Sequence, residues 1–233
     1  MKVLAIETAT IEVGVAIGDE TGLLATVTSR PGRHQVETLH PAVADVCRIA
    51  GVGLFELAAV AVDVGPGLFT GLRVGVAAAK AFAGGLGIPI VTATSLEILA
   101  FAAPGAFGSV VPVIDMRRGE VAWLMPKSAR DSFRVGSPSE LVDDLSGLGG
   151  PVLLVGDGAL RHFELLAERT IPGTVFGGTE LAAAPVASLL VLAMESMRSG
   201  RCLDPAEVRP LYGREADARI NWSSRSSRQA TGK

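Results

Sequence analysis

The feature that most constrains the fold of this chain is a pattern of strand, acidic residue and turn that occurs twice in its 233 residues. In the first half, an apolar run at 3–6 ends at Glu7, and a short turn leads into a second apolar run at 13–17. In the second half, the apolar run 110–114 ends at Asp115 and is followed by a similar turn and run. Short apolar runs bounded by turns predict buried strands.

A glycine turn then follows in each half. Residues 62–64 lead into Gly65-Pro66-Gly67, and residues 152–155 lead into Gly156-Asp157-Gly158, with a helical pattern after each turn. Each half is therefore predicted to contain antiparallel strands, a helix, a further strand and a glycine turn into another helix. The sequence predicts an α/β protein with two duplicated subdomains, of which the second is the shorter.

The boundary between the subdomains is predicted near the Pro- and Gly-containing stretch 104–108. The tail is rich in Ser and Arg and lacks apolar periodicity, a composition that favours disorder. We expect an N-terminal subdomain at 1–105, a C-terminal subdomain at 106–205, a return segment at 206–220 and a disordered tail at 221–233.

Composition excludes several classes of protein. With 48% hydrophobic and 19% charged residues the chain can bury a core, and its net charge of −3 creates no overall field that would attract nucleic acid. No apolar run approaches the roughly 18 residues of a membrane span, and the N-terminus lacks the cleavage site of a signal peptide. Two cysteines, Cys47 and Cys202, form no disulfide framework. We therefore expect a cytoplasmic protein without membrane association.

The first glycine turn, in the segment Val-Gly-Pro-Gly-Leu-Phe-Thr-Gly-Leu-Arg-Val-Gly at 64–75, has two interpretations. It could direct free backbone N–H groups and a helix N-terminus at an anion or a nucleotide. Alternatively, it could be a tight turn that lets the following helix pack closely on its sheet. Short glycine motifs occur in both settings, so the turn alone favours the second interpretation.

Four segments of the chain resemble the TsaB (YeaZ) family. They are Leu4-Ala-Ile-Glu-Thr, Gly65-Pro-Gly-Leu-Phe-Thr-Gly-Leu-Arg73, Asp115-Met-Arg-Arg-Gly-Glu120-Val and Gly156-Asp-Gly158. The resemblance covers nearly the whole chain, and the segment that begins at Gly65 is the most specific. It implies the actin/Hsp70/sugar-kinase (ASKHA) fold, which is built from two duplicated subdomains and agrees with the duplication described above.

The resemblance implies a role in making N6-threonylcarbamoyladenosine next to the anticodon of tRNA. In that family the chain is a non-catalytic subunit that pairs with the metal-dependent catalytic paralogue TsaD, while the ATPase TsaE resets the complex. The expected partners are therefore TsaD, TsaE and tRNA through the complex, with a homodimer expected when the chain is alone. No cofactor of its own is expected, apart from weak nucleotide binding at the interface of the complex.

The positions that would carry chemistry look degenerate. In the catalytic relatives a His-x-x-x-His pair holds the metal, and here Ser95 and Leu99 occupy those positions. The family usually has Asp where this chain has Glu7, which is either a relic or a carboxylate bonded to the backbone at a strand end; we favour the latter. The resemblance assigns no catalytic and no metal-binding residue, and it leaves relic phosphate-site positions at Glu7, Gly65, Gly67, Asp115, Gly156 and Gly158.

The three histidines do not restore a metal site. His34 and His40 are six residues apart and would lie on different faces of a helix, and His162 lies in the other half. No Ser-His-Asp or Cys-His arrangement can be read from the spacing. The alternative function is an ASKHA-fold enzyme that acts alone, either an ATP phosphotransferase or a glycoprotease-like metallohydrolase.

The surface for the partner is expected on the two helices near 36–50 and 70–84, which the family uses for pairing. The first carries an apolar stripe with i, i+4, i+7 spacing, and the second is apolar almost all round with small residues. The alternative is that both stripes only cover their own sheet. The predicted interface residues are Leu39, Val43, Val46, Phe69, Leu72, Arg73, Val76, Ala77 and Lys80.

Overall fold

The computed structural model describes residues 1–30, 32, 34–105, 107–129 and 132–213. The predicted tail at 221–233 and part of the predicted return segment, 214–220, lie outside these residues, as do the basic residues Arg219, Arg225, Arg228 and Lys233. Among the helices in the described part of the chain, none is long and apolar enough to cross a bilayer.

The first sheet has five strands in the order β3-β2-β1-β4-β5. Strands β1, β2 and β3 are antiparallel neighbours, and β4 and β5 continue the sheet in parallel with β1. The bounds are β1 Lys2–Glu7, β2 Val13–Asp19, β3 Gly22–Ser29, β4 Leu57–Asp63 and β5 Ile90–Ala93.

The second sheet repeats this arrangement in the order β8-β7-β6-β9-β10, with the antiparallel strands on one side of β6 and the parallel ones on the other. Strand β6 takes the place of β1, and β9 that of β4. The repeated order confirms the predicted duplication, and the second sheet is the reduced one because its edge strands have only three and two residues. The bounds are β6 Ser109–Arg117, β7 Glu120–Trp123, β8 Arg134–Gly136, β9 Val152–Val155 and β10 Val175–Phe176.

Seven α-helices lie in the part of the chain that the structure describes, together with 3-10 helices at Leu54–Glu56 and Thr179–Leu181. The first helix is continuous although Pro41 lies inside it. The helical segment that follows the second glycine turn is divided at His162. The bounds are α1 Gln35–Ala50, α2 Phe69–Leu86, α3 Ser95–Ala102, α4 Pro138–Leu145, α5 Asp157–Arg161, α6 Phe163–Arg169 and α7 Val186–Arg198.

Two of the helices pack against the sheet of the other half. Helix α3, from the first half, packs against β6 of the second sheet, and α7, from the second half, packs across β1 and β2 of the first sheet. One buried cluster therefore joins Leu99 of α3 with Leu153 of β9 and Leu189 of α7 with Val3 of β1. Since each half completes the core of the other, neither can separate without exposing apolar surface.

The C-terminal segment, residues 199–213, returns from α7 to the first half. Leu203 forms an antiparallel bridge with Ile90 at the edge of the first sheet, and Val208 is buried beside α2. The Leu211 N–H donates to the carbonyl of Val64 at 2.7 Å. At its end, Gly213 lies against Met116 of β6, so the segment contacts both halves.

Helix α2 lies unusually close to the turn that follows β1. A Cβ atom at Gly67 would lie 2.2 Å from the carbonyl oxygen of Ala9, and one at Gly71 would lie 1.9 Å from that of Thr8. The Thr8 hydroxyl donates to the Gly71 carbonyl at 2.7 Å. These distances leave no room for a side chain, so glycine is required on this face of the helix because of the backbone opposite it.

We expect Gly71→Ala to lower the free energy of unfolding by about 3 kcal/mol, at the upper end of the cost of overpacking, because the clash is with backbone atoms that cannot move aside. Gly84→Ala in the same helix is the matched control, since a Cβ there meets nothing within 4 Å. That variant should be neutral or more stable by about 0.5–1 kcal/mol. Urea unfolding of both variants measures the difference, and equal stabilities would contradict the close approach.

Candidate functional site

The six predicted phosphate-site positions form two groups at the carboxyl ends of the central strands. Glu7, Gly65 and Gly67 meet where β1 and β4 end, and the other three meet where β6 and β9 end. The C-terminal segment links the groups, because Leu211 lies over Gly65 and Gly213 lies over Met116. In open α/β sheets, ligands bind at the carboxyl ends of the strands, so these positions are the candidate site.

Asp63, at the end of β4, organises the first group. Its Oδ1 accepts the Gly65 N–H at 2.7 Å, and its two oxygens accept the Ser95 hydroxyl at 2.8 and 2.7 Å. Ser95 stands where the catalytic relatives are expected to have a histidine, and here it fixes the glycine turn instead. Sequence reasoning missed Asp63, although a carboxylate two residues before Gly65 in an apolar strand was the available signal.

Glu7 is fully buried next to Asp63. Burial raises the pKa of its carboxyl well above the ordinary value, and the Asp63 charge raises it further. Burial also raises the pKa of Asp63, to about 7, although the Gly65 N–H and the Ser95 hydroxyl oppose this. Glu7 Oε1 accepts the Thr10 N–H at 2.8 Å, so the carboxyl bonds to backbone at the strand end.

The second carboxyl oxygen of Glu7, Oε2, bears on the protonation of Glu7 and Asp63. Within the described residues, Oε2 of Glu7 faces no N–H or hydroxyl donor. An ionised oxygen left without a donor in a buried site would be costly. A protonated oxygen can instead donate a hydrogen bond to the Asp63 carboxylate, and this side-chain bond lowers the Asp63 pKa. The raised pKa values of the two acids therefore favour one shared proton, and a single charge, near neutral pH.

The first glycine turn is filled by the chain itself. Gly65 has a φ of +97°, and a Cβ there would lie 2.8 Å from the Leu211 carbonyl oxygen. The Leu68 N–H at the start of α2, which could otherwise bind an anion, donates to the Ala9 carbonyl at 2.7 Å. In this structure the turn serves close packing, and the N–H groups of Gly65 and Leu68 bond to the chain itself.

Asp115, in the second group, is neutralised by arginines. Its Oδ2 pairs with Arg117 at 2.9 Å and with Arg161 at 3.4 Å, and its Oδ1 accepts the Arg117 N–H at 2.9 Å. The Asp115 N–H donates to Asp157 at 2.9 Å, and burial raises the pKa of Asp157 to about 6. A Cβ at Gly156 would lie 2.2 Å from the Val113 carbonyl oxygen, so this turn is filled as well.

No group of three His, Cys, Asp or Glu side chains that could hold a metal occurs among the described residues. Leu99 is fully buried in the core that the halves share. His34 lies exposed just before α1, and His40 lies exposed on α1. His162 lies between α5 and α6. The oxygens of Asp63 and Asp115 at these strand ends accept hydrogen bonds or ion pairs from the chain itself.

Five of the nine predicted interface residues are buried inside the protein. The apolar stripe on α1 faces its own sheet, and the corresponding face of α2 does the same, because each helix must cover the apolar sheet beneath it. These five side chains are buried within the chain itself; they are Leu39, Val43, Val46, Leu72 and Val76. Phe69, Arg73 and Ala77 are exposed and Lys80 is half-buried.

An exposed face of small and apolar side chains nevertheless lies on α1 and α2. The two helices pack side by side, with the rings of His40 and Phe82 6.4 Å apart. We call this surface the pairing face; its exposed residues are Val36, His40, Ala44, Ala77, Ala81, Gly84 and Gly85. Sequence reasoning found only Ala77 of these, because an apolar stripe shows that a face is buried without showing by what.

A cluster of aromatic and cationic side chains lies at the start of α2. The Arg73 guanidinium carbon lies 3.8 Å from the centre of the Phe69 ring, and its Nε donates to the Tyr212 hydroxyl at 3.1 Å. The Phe69 and Tyr212 rings are 5.3 Å apart. Tyr212 is distant in sequence, and no local pattern could have placed it here.

Comparison with known proteins identifies the family. Residues 23–136 match the family model described as "TsaD: tRNA N6-adenosine threonylcarbamoyltransferase". The tRNA threonylcarbamoyladenosine biosynthesis protein TsaB of Bacillus subtilis is 30% identical over 95% of this chain and 98% of its own length. The protein of the same name from Escherichia coli is 28% identical over 91% and 94%.

Solved structures agree with the fold. YeaZ from Pseudomonas aeruginosa superposes with a TM-score of 0.77 at 26% identity, over 91% of this chain and 99% of its own. The ethanolamine utilization protein EutJ of Carboxydothermus hydrogenoformans, at 15% identity and a TM-score of 0.50 over 82% and 90% of the two chains, is similar in fold alone. The predicted ASKHA fold is confirmed, and the chain belongs to the TsaB (YeaZ) family of tRNA threonylcarbamoyladenosine biosynthesis proteins.

Proposed function

We propose that this chain is a non-catalytic, cytoplasmic subunit in threonylcarbamoyladenosine synthesis that acts by pairing with the threonylcarbamoyltransferase paralogue TsaD. The observation that carries the proposal is the contrast between two faces of α2. The face of α2 that carries Gly71 and Gly75 is packed against the chain's own turn after β1, at the strand ends where a ligand would bind. The opposite face, with Ala77 and Ala81, is exposed and open to another helix.

The state of the carboxylates supports a non-catalytic role. Glu7 and Asp63 are buried together with raised pKa values that favour a proton on the pair, and Asp115 is paired with two arginines. A catalyst of this fold would need these oxygens for a metal or a phosphate, and small displacements of such groups cost catalysis heavily. Here their hydrogen bonds hold turns and strand ends in place.

The pairing face supports an interface with a similar protein. Small side chains let helices approach closely, since the distance between helix axes depends on the residues at the contact. The match to the TsaD model spans 23–136, which includes both helices of the face. A paralogue with corresponding helices can pack on it in a quasi-symmetric way, and so can a second copy of this chain when the paralogue is absent.

The remaining partners belong to the same proposal. The ATPase TsaE and tRNA would reach this chain through the complex, and any weak nucleotide binding would occur at the interface of the complex.

We expect the double substitution Ala77→Glu and Ala81→Glu to abolish pairing with TsaD from the same genome. Charges placed in the centre of a close helix interface would be buried without partners, which should weaken binding at least about 100-fold. Light scattering on size-exclusion chromatography measures the complex. Both positions are exposed in the isolated chain, so the thermal midpoint of the variant should remain that of the wild type.

Ala167→Glu, at an exposed position on α6 of the second half, is the matched control and should pair normally. A mixed complex of normal affinity with the double variant would show that the pairing face is assigned incorrectly. A wild-type chain that forms no complex with TsaD at all would contradict the proposed function itself.

The shared proton predicts that stability falls as the pH rises. Both pKa values are higher in the folded chain than in the unfolded one, so the folded state binds more protons from about pH 4 up to the folded pKa, about 7 for Asp63. The free energy of unfolding should fall in this window by up to about 1.4 kcal/mol per pH unit for each proton. Glu7→Gln should flatten the fall, because the amide N–H can donate to Asp63 at any pH.

Urea unfolding at a series of pH values measures this slope. Glu164→Gln, which removes an exposed carboxylate on α6, is the control and should keep the slope of the wild type. Identical slopes in the wild type and Glu7→Gln would contradict the shared proton.

A further inference from the structure

A groove lined by three cationic side chains lies beside the pairing face. Its volume is about 430 Å³, and it runs between α2 and the C-terminal segment. Arg73 and Lys80 line it from α2, seven residues apart and therefore separated by about 10 Å along the helix. Arg209 lines it from the opposite wall. We call this the cationic groove.

None of the three cations pairs with a carboxylate in the part of the chain that the structure describes. Arg73 donates to the Tyr212 hydroxyl, and Lys80 donates to the Val208 carbonyl at 3.2 Å. Arg209 donates to the carbonyls of Ala206 and Val208. Glu207 lines the adjoining cavity, where it accepts the Asp204 N–H. The groove is therefore a local positive patch on a chain whose net charge is −3.

Exposed aromatic rings adjoin the groove at the start of α2. Phe69 is 47% exposed and Tyr212 is 39% exposed, and the Arg73 guanidinium stacks on Phe69 at 3.8 Å. Cations beside exposed rings are typical of RNA-binding surfaces, where phosphates meet the charges and unstacked bases stack on the rings. An acidic protein segment would use only the charges, whereas RNA can contact both the charges and the exposed rings, so RNA fits the surface better.

We propose that the cationic groove binds the phosphodiester backbone of tRNA, with Phe69 and Tyr212 beside an unstacked base. This inference rests on the proposed function, in which the complex brings tRNA to this chain. The groove adjoins the pairing face at Ala77, which belongs to both surfaces. The nucleic acid can therefore extend from the catalytic subunit across the interface. Such contacts position the tRNA and do not read its sequence.

The test uses the complex of this chain with TsaD and a full-length tRNA transcript that has an unmodified adenosine next to the anticodon. Affinity is measured by fluorescence anisotropy over a range of salt concentrations. Each lost phosphate contact lowers the slope of log affinity against log salt by about 0.7–0.9. The double variant Lys80→Gln and Arg209→Gln should reduce the slope by about 1.5 and weaken binding about tenfold near physiological salt.

Two further variants make the result interpretable. Arg201→Gln removes an exposed arginine of the same C-terminal segment that bonds to Ser199, and it should change neither slope nor affinity. Arg209→Lys keeps the charge and should keep the slope, which separates the charge from any loosening of the segment. Melting temperatures confirm that each variant is folded.

The outcomes distinguish this inference from the function on which it rests. Assembly of the wild-type chain with TsaD is measured first, and its absence counts against the proposed function. Normal assembly with an unchanged salt slope in the double variant overturns the groove as an RNA site. So does weaker assembly of the double variant with unchanged tRNA binding by the assembled complex, because the groove would then hold an acidic segment of the partner.

Discussion

The close packing of α2 on the turn after β1 determines how the rest of the molecule is used. Gly67, Gly71 and Gly75 bring the helix within contact of Thr8 and Ala9, and the Leu68 N–H just before the helix donates to the Ala9 carbonyl. A helix fixed so closely on one side has no space there for a ligand. It must present its other side, with its small residues, either to water or to another protein.

The buried acids are a second consequence of this packing. The carboxyls of Glu7 and Asp63 lie together in a buried site, where two negative charges would be unfavourable. Sharing a proton removes one charge, and the longer side chain of Glu7 can bond to Thr10 while facing Asp63. In the second half the same difficulty is solved differently, by the arginines that pair with Asp115.

Much of the fold could be predicted from the sequence, because the decisive signals are local. Glycine turns, strand lengths and the capping boxes at Thr94 and Ser137 each depend on a few neighbouring residues. The candidate site was harder to predict from the sequence, because its contacts form only in the tertiary fold. Asp63 contacts Ser95, and Arg73 contacts Tyr212, although each pair is distant in sequence. The apolar stripe through Leu39 correctly indicated a buried face, but the stripe itself cannot distinguish the chain's own sheet from a partner.

The most direct test of the central claim is the rate at which TsaD, supplied with Glu7→Gln in place of the wild-type chain, forms threonylcarbamoyladenosine in tRNA. Nucleoside mass spectrometry measures the product, and light scattering confirms that the complex has formed. The rate of product formation with Glu7→Gln should equal that with the wild-type chain, because Glu7 holds the fold and touches no substrate. A loss of about 100-fold or more with the complex intact, the size expected when a catalytic acid or base is removed, would show that this cleft takes part in the chemistry.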